Sequence, residues 1–210
     1  ISPGDLGLYD DACEEAVANA LSRARAQCSP IAVAMQLAHA GRKASTDLPW
    51  RGGGFLRTGE GGWQTLAPSP IPFRDSDEPP RELTRADIDE VTFQFVEATR
   101  RSVAAGFETV EIHMAHGYLL HEFLSPLSNQ RTDEFGGSLK ARARFPLQVA
   151  RAVRAAFPSE LPVFVRISAT DWVAVGWDLP QSIQFARWLK EEGIDLIDCS
   201  SGGLVPGAKI

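Results

Sequence analysis

Two histidines and a tyrosine stand close together in the run EIHMAHGYLLHEFLSP, residues 111–126. They follow an apolar, β-branched stretch (Thr109, Val110, Ile112) instead of ordinary turn residues. In a strand, positions 113 and 115 share a face and 116 takes the other. His113 and His116 therefore converge only if the strand ends between them and the chain turns at His116-Gly117. Gly117 supplies the backbone freedom for that turn. Two converging imidazole N–H groups can polarise a carbonyl or hold a phenolate. Tyr118, a phenol with a pKa of about 10, stays protonated at neutral pH and can give its proton to a developing carbanion.

Each of these residues also has a plainer reading. The histidines can be satisfied structural groups, and Tyr118 a packed aromatic. With His121 as a third ligand they could instead hold a metal in a barrel lyase or hydrolase. No Cys or Asp joins at ligand spacing, and Glu111, alternating with Ile112, is expected to aim elsewhere, so no metal is expected. Gln36, an amide within an apolar strand, needs partners, which a water or a neighbouring strand can provide. Arg166 in VFVRIS calls for an acceptor-rich group opposite it. That group is either a structural carboxylate or an electron-rich cofactor.

The elements that must position these groups alternate along the chain. Helical periodicity marks residues 11–26, with Ala16, Leu21 and Ala24 expected inward. A second helix begins at Thr84, which forms a capping box with Asp87, and runs to Gly106 with Ile88, Val91, Phe95 and Ala98 buried. A third covers about 142–157 and buries Phe145, Val149 and Val153. Asp178 and Pro180 open a fourth, with Ile183, Ala186 and Leu189 inward and Gly193 closing it. Strand-like runs occupy 31–39, 161–168 and 194–201, with the histidine-bearing run beginning at Thr109 and ending between His113 and His116. Runs apolar on both faces between helices indicate a parallel α/β sheet. No strand is followed by G-x-G-x-x-G, which weakens a dinucleotide-binding doubly wound sheet. Polar residues at successive strand ends (Gln36 and His39; His113 and His116; Arg166; Cys199 and Ser200) favour a (β/α)8 barrel, whose active sites lie on that rim. A barrel needs eight strands and about 250 residues, and four parallel strands alone leave two open edges. The 210 residues are therefore expected to supply about four strands and four helices from the middle of one barrel domain.

Residues 41–81 break the rhythm with many Gly and Pro. A loop of that length is functional or disordered. Trp50, Trp63 and the run 66–73 favour an ordered excursion over the rim, a lid, with disorder the alternative for 52–62. The dense polar knot Asn129, Arg131, Asp133, Gly136, Gly137 and Ser138 reads as loop scaffolding, and Cys199 as a small core residue. A net charge of −6 argues against nucleic acid or anionic membrane as a partner. No apolar run approaches the roughly 20 residues that cross a bilayer, and the N-terminus lacks signal-peptide chemistry. Three cysteines without metal spacing make a reducing, cytoplasmic setting the default.

Taken together, the motifs MQLAHAGRKAS (35–45), APSPIPF (67–73), EIHMAHGYLLHEFLSPLSNQRTDEFGGS (111–138), VFVRIS (163–168) and GIDLIDCSSG (193–202) resemble those of the Old Yellow Enzyme family. These are flavin-dependent ene-reductases, and the resemblance is to the bacterial thermophilic-like group. It implies a TIM barrel holding FMN, with NADPH or NADH as reductant. It also implies that enones or enals are reduced at their C=C bond in a ping-pong cycle, and that phenols inhibit. Homo-oligomerisation is left open. By the same resemblance Gln36 would bond the pyrimidine edge of FMN, and Arg166 would lie near its N1 and O2. His113 and His116 would bind the substrate oxygen, and Tyr118 would protonate the substrate Cα. The family's first two strands would precede Ile1 and its last two would follow Ile210. A non-catalytic half-barrel is the further alternative. Ala141-Arg142 stands where the family usually has Asn-Arg, and His121 receives no role.

Overall fold

The computed structural model describes residues 1–209. In chain order the elements are α1 (Asp11–Arg25), β1 (Ala34–Leu37), β2 (Leu66–Ala67), β3 (Arg81–Glu82), α2 (Arg85–Ala105), β4 (Thr109–Met114), α3 (Leu119–Leu124), α4 (Leu139–Arg142), α5 (Arg144–Ala156), β5 (Val163–Ser168), α6 (Leu179–Glu191) and β6 (Leu196–Ser200). Strands β1-β4-β5-β6 form one sheet in that order, every pair parallel. The pair β2-β3 lies apart from it.

Parallel register puts like positions side by side. Leu37, Val110, Ile112, Met114, Val163, Val165 and Ile167 are all buried and form one core with Ile88, Val91, Phe95, Val149, Val153, Phe185 and Leu189 of α2, α5 and α6. The opposite face carries Gln36, Glu111, His113, Phe164, Arg166, Ser168, Asp198 and Ser200. Helices cover one face only, the arrangement of a barrel wall; a doubly wound sheet has them on both.

Local signals set the helix ends. Thr84 and Asp87 form both halves of the capping box, and Gly106 closes α2 in the left-handed region. Asp10 and Asp178 cap α1 and α6 by accepting from Cys13 N–H and Gln181 N–H. Two inward faces differ from expectation. In α1 the buried residues are Val17 and Leu21, while Ala16 and Ala24 are exposed. That helix packs chiefly on α2, so only a narrow stripe is covered. In α6 the inward stripe is Ser182, Phe185 and Leu189, and Ile183 is exposed. The helix expected at about 142–157 is α5, Arg144–Ala156, and a short α4, Leu139–Arg142, precedes it with Ala143 between them. Cys199 is exposed because β6 is an edge strand with its outer face uncovered, so it is no core residue.

The excursion between β1 and α2 contains short pieces of regular structure along its length, β2 and β3 among them. It contains 3-10 turns at Gly41–Lys43, Pro49–Arg51 and Thr58–Glu60, and a bridge between Thr46 and Phe55. Its tryptophans do not anchor it: Trp50 is 77% exposed and Trp63 38%. Buried arginines hold it instead. Arg42 donates to the carbonyls of Ile71, Pro72 and Leu204, and Arg131 to those of Pro68 and Leu83. Around Arg131 the polar knot is scaffolding as expected, with Asn129 Nδ2 bonding Phe123 O and Phe135 O.

Candidate active site

Strand β4 ends at Met114, and the chain then turns through two consecutive left-handed residues, His116 (φ 59°) and Gly117 (φ 74°). A Cβ on Gly117 would lie 2.3 Å from Gly203 O, so no side chain fits there. The turn brings the imidazoles of His113 and His116 together, with ring centroids 5.1 Å apart and nearly perpendicular. Tyr118 meets His113 edge-on at 5.0 Å. The three residues that the sequence grouped are thus one cluster at the strand end.

Hydrogen bonds constrain their protons. His113 Nδ1 accepts from Ala115 N–H at 3.1 Å, so its proton sits on Nε2. That Nε2 faces His116 Nδ1 at 3.3 Å, and the other nitrogen of His116 faces Ser200 Oγ at 2.6 Å. Burial, reinforced by His116 and Arg166, pushes His113 down to about 4. Burial also lowers His116, helped by Arg166 and His121. Both rings are therefore neutral at pH 7, each with one N–H to give. Tyr118 is raised by burial and by Asp5, and remains a protonated phenol.

On the same sheet face, Gln36 Nε2 donates to Glu111 Oε1 at 2.6 Å. Glu111 thus shares the face of His113, because residues two apart on a strand point the same way; the expectation that it aims elsewhere is corrected. Arg166 pairs in register with His113 on one side and Asp198 on the other. Its Nε is 3.3 Å from Asp198 Oδ2, too poorly aligned for a hydrogen bond, and this buried N–H has no acceptor. A carboxylate partner for Arg166 is therefore present, yet one donor is left over. An unsatisfied guanidinium N–H and a solvent-facing amide on one open, polar sheet face suit the hydrogen-bonding edge of a flavin.

Several contributors were not singled out in the sequence. Lys43 donates to His116 O at 2.8 Å and Gly203 O at 3.1 Å, and lies over the rings of Phe73 and Tyr118 at 4.7 and 5.2 Å. Ser168 Oγ accepts from His116 N–H at 2.9 Å. The short helix α3 gave no separate signal, because its six residues are all buried and show no polar face. His121, on α3, points away from the other two histidines. Its Nδ1 accepts from Gly117 N–H, and its Nε2 faces Asp171. A three-histidine metal site is thereby corrected, and among the described residues no group of three potential ligands is placed to hold a metal ion.

A family model described as "NADH:flavin oxidoreductase / NADH oxidase family" matches residues 2–209. The chain belongs to this family. Among curated relatives, an NADPH dehydrogenase of Bacillus velezensis is 46% identical over 205 residues, covering 98% of this chain and 55% of the relative. Among solved structures, morphinone reductase superposes with a TM-score of 0.76 at 27% identity, over 97% of this chain and 56% of that one. An Old Yellow Enzyme homologue from Zymomonas mobilis gives 0.72 at 27%, over 92% and 54%. The chain spans about half the length of the curated relatives it matches. Its sheet is part of a TIM barrel of the Old Yellow Enzyme type, a family that uses FMN and NAD(P)H. No helix among the described residues is long and apolar enough to cross a membrane.

Proposed function

We propose that residues 1–210 form the central part of an FMN-binding barrel. The enzyme takes hydride from NAD(P)H and reduces the C=C bond of α,β-unsaturated carbonyl compounds in a ping-pong cycle. The observation that carries this reading is the pair His113 Nε2 and His116 Nδ1, 3.3 Å apart at the strand end beside a protonated Tyr118.

Gln36 and Arg166 would hold the hydrogen-bonding edge of FMN, which would supply the hydride. The chain's own residues do the rest. An enone oxygen placed between the histidines accepts from both N–H groups once His116 carries its proton on Nδ1. Ser200 makes that tautomer available by turning its hydroxyl hydrogen toward His116 Nε2. Two donors on one oxygen draw electron density from the alkene, so its β-carbon becomes electrophilic. Tyr118 then delivers its proton to the α-carbon, and the phenolate left behind is reprotonated from solvent. Burial lowers Lys43, but its charge lies beside the Tyr118 ring, where it steadies that phenolate.

The visible spectrum of the purified protein tests the reading. Flavin absorbance should bleach anaerobically with NADPH and return on adding cyclohexenone. Colourless protein carrying stoichiometric zinc would replace the reading with a metal enzyme. Protein with neither flavin nor metal, at the intact mass of these residues alone, would make the chain a non-catalytic half-barrel.

A further inference from the structure

The turn that presents His116 needs a cause. Left-handed backbone is strained at a histidine unless surrounding contacts hold it, and His116 adopts it directly before Gly117. Three side chains take up the turn's polar groups: Ser168 on His116 N–H, Lys43 on His116 O, and His121 on Gly117 N–H at 2.9 Å.

His121 differs from the other two in being sealed in. Its side chain and that of Asp171 are both 0% exposed. Since Nδ1 accepts from Gly117, the ring's proton is on Nε2, 3.0 Å from Asp171 Oδ1; the contact is close but out of line for a hydrogen bond, and neither atom has a hydrogen-bond partner among the described residues. Asp171 is itself fixed, its other oxygen accepting from Ser125 Oγ at 2.6 Å and Trp177 N–H at 2.8 Å. Burial alone would raise this carboxyl, but the adjacent His121 ring and the bonds from Ser125 and Trp177 bring it below the ordinary range. A buried carboxylate beside Nε2 thus favours the tautomer that carries its proton there, and that tautomer leaves a lone pair aimed at Gly117. Asp171 lies just beyond β5, the strand of Arg166, so the pair also ties the turn after β4 to the neighbouring strand.

We propose that His121 and Asp171 are positioning residues: through the Gly117 amide they hold the left-handed turn that aims His116 and Tyr118 at the substrate oxygen. The aim of the turn rests on the function proposed above, whereas the hold on Gly117 does not.

Two amide substitutions separate the bonds. In His121→Asn the Oδ1 replaces Nδ1 and still accepts from Gly117; in His121→Gln the side-chain amide reaches Asp171 but Gly117 loses its acceptor. In the FMN-loaded protein, 4-chlorophenol affinity should stay within about threefold of the parent for Asn and fall about tenfold or more for Gln. Flavin reduction by NADPH should change little in either. Nitrogen-15 spectra of the imidazoles should show His121 as the Nε2–H tautomer, and only the Gln variant should shift and deprotect the Gly117 amide. Equal loss of phenol affinity in both variants, following the fall in melting temperature, would overturn the proposal. So would an unshifted Gly117 amide in His121→Gln. A parent protein that binds no phenol but shows the predicted His121 and Gly117 signals would overturn the proposed function and leave the hold on the turn standing.

Discussion

Ser200 Oγ and His116 Nε2 are 2.6 Å apart, although they belong to β6 and to the turn after β4, with β5 between them. The side chain of His116 therefore reaches across a whole strand, over Ser168, which holds its backbone N–H. His113 can donate only from Nε2, so both rings can donate to one oxygen only if Ser200 donates to His116.

Removing that hydroxyl should matter for binding. Ser200→Ala should weaken phenol affinity about 3- to 10-fold, the worth of one hydrogen bond, while Ser200→Thr stays near the parent. Titration of the flavin spectrum with 4-chlorophenol measures both; an unchanged alanine variant would show that the tautomer is set elsewhere.

His113 makes the more direct contact. His113→Ala should cost about 1–3 kcal/mol of phenol binding, because a donor is lost and its oxygen partner left short. The same titration reads this, and equal affinity would remove His113 from the oxygen site.

Tyr118→Phe separates the half-reactions. Alkene reduction should slow by at least about 100-fold, with flavin reduction by NADPH nearly untouched. Stopped-flow traces of each half-reaction give the comparison. Equal slowing of both would mean that Tyr118 shapes the pocket and is not the proton donor.

Much of this arrangement could be read from residue types, because strand alternation and capping are local rules. The His113–His116 convergence followed from one break in alternation at Gly117, and the α2 boundaries from Thr84, Asp87 and Gly106. What escaped depends on long-range contact. Lys43 lies 73 residues from the carbonyl it binds, and His121 meets Asp171 from 50 positions away, distances that no periodicity encodes. The exposure of Cys199 and Ile183 was hidden for a related reason: which face a neighbour covers is a property of the assembled sheet.

A buried acid supplies a pH signature. Burial raises Glu122 to about 8 from an ordinary 4.5, against the pull of Arg42 and Lys43. Its Oε1 accepts from Arg42 N–H at 2.9 Å while Oε2 has no partner. Between pH 4.5 and 8 the folded protein holds this proton and the unfolded chain does not, so stability falls as pH rises through that window. His113, depressed to about 4 from 6.5, acts oppositely: stability falls as pH drops from 6.5 to 4. Glu122→Gln should therefore gain stability over the parent as pH climbs from 4.5 to 8, reaching a few kcal/mol, on the order expected for a buried carboxyl. Thermal melts across that range would show it, and parallel curves for the two proteins would refute it.

The division of the sheet into an apolar, helix-facing side and an open polar side has a consequence for how such a chain can change. Along β4, Ile112 and Met114 belong to the core while Glu111 and His113 belong to the polar face of the proposed site, and nothing but parity separates the two sets. Substitutions at Glu111, Phe164 or Asp198 change the polar face without touching what folds the wall. A single inserted residue upstream of His113 would exchange the two sides and abolish both at once. Specificity in this barrel is free to drift by replacement, whereas strand length is frozen.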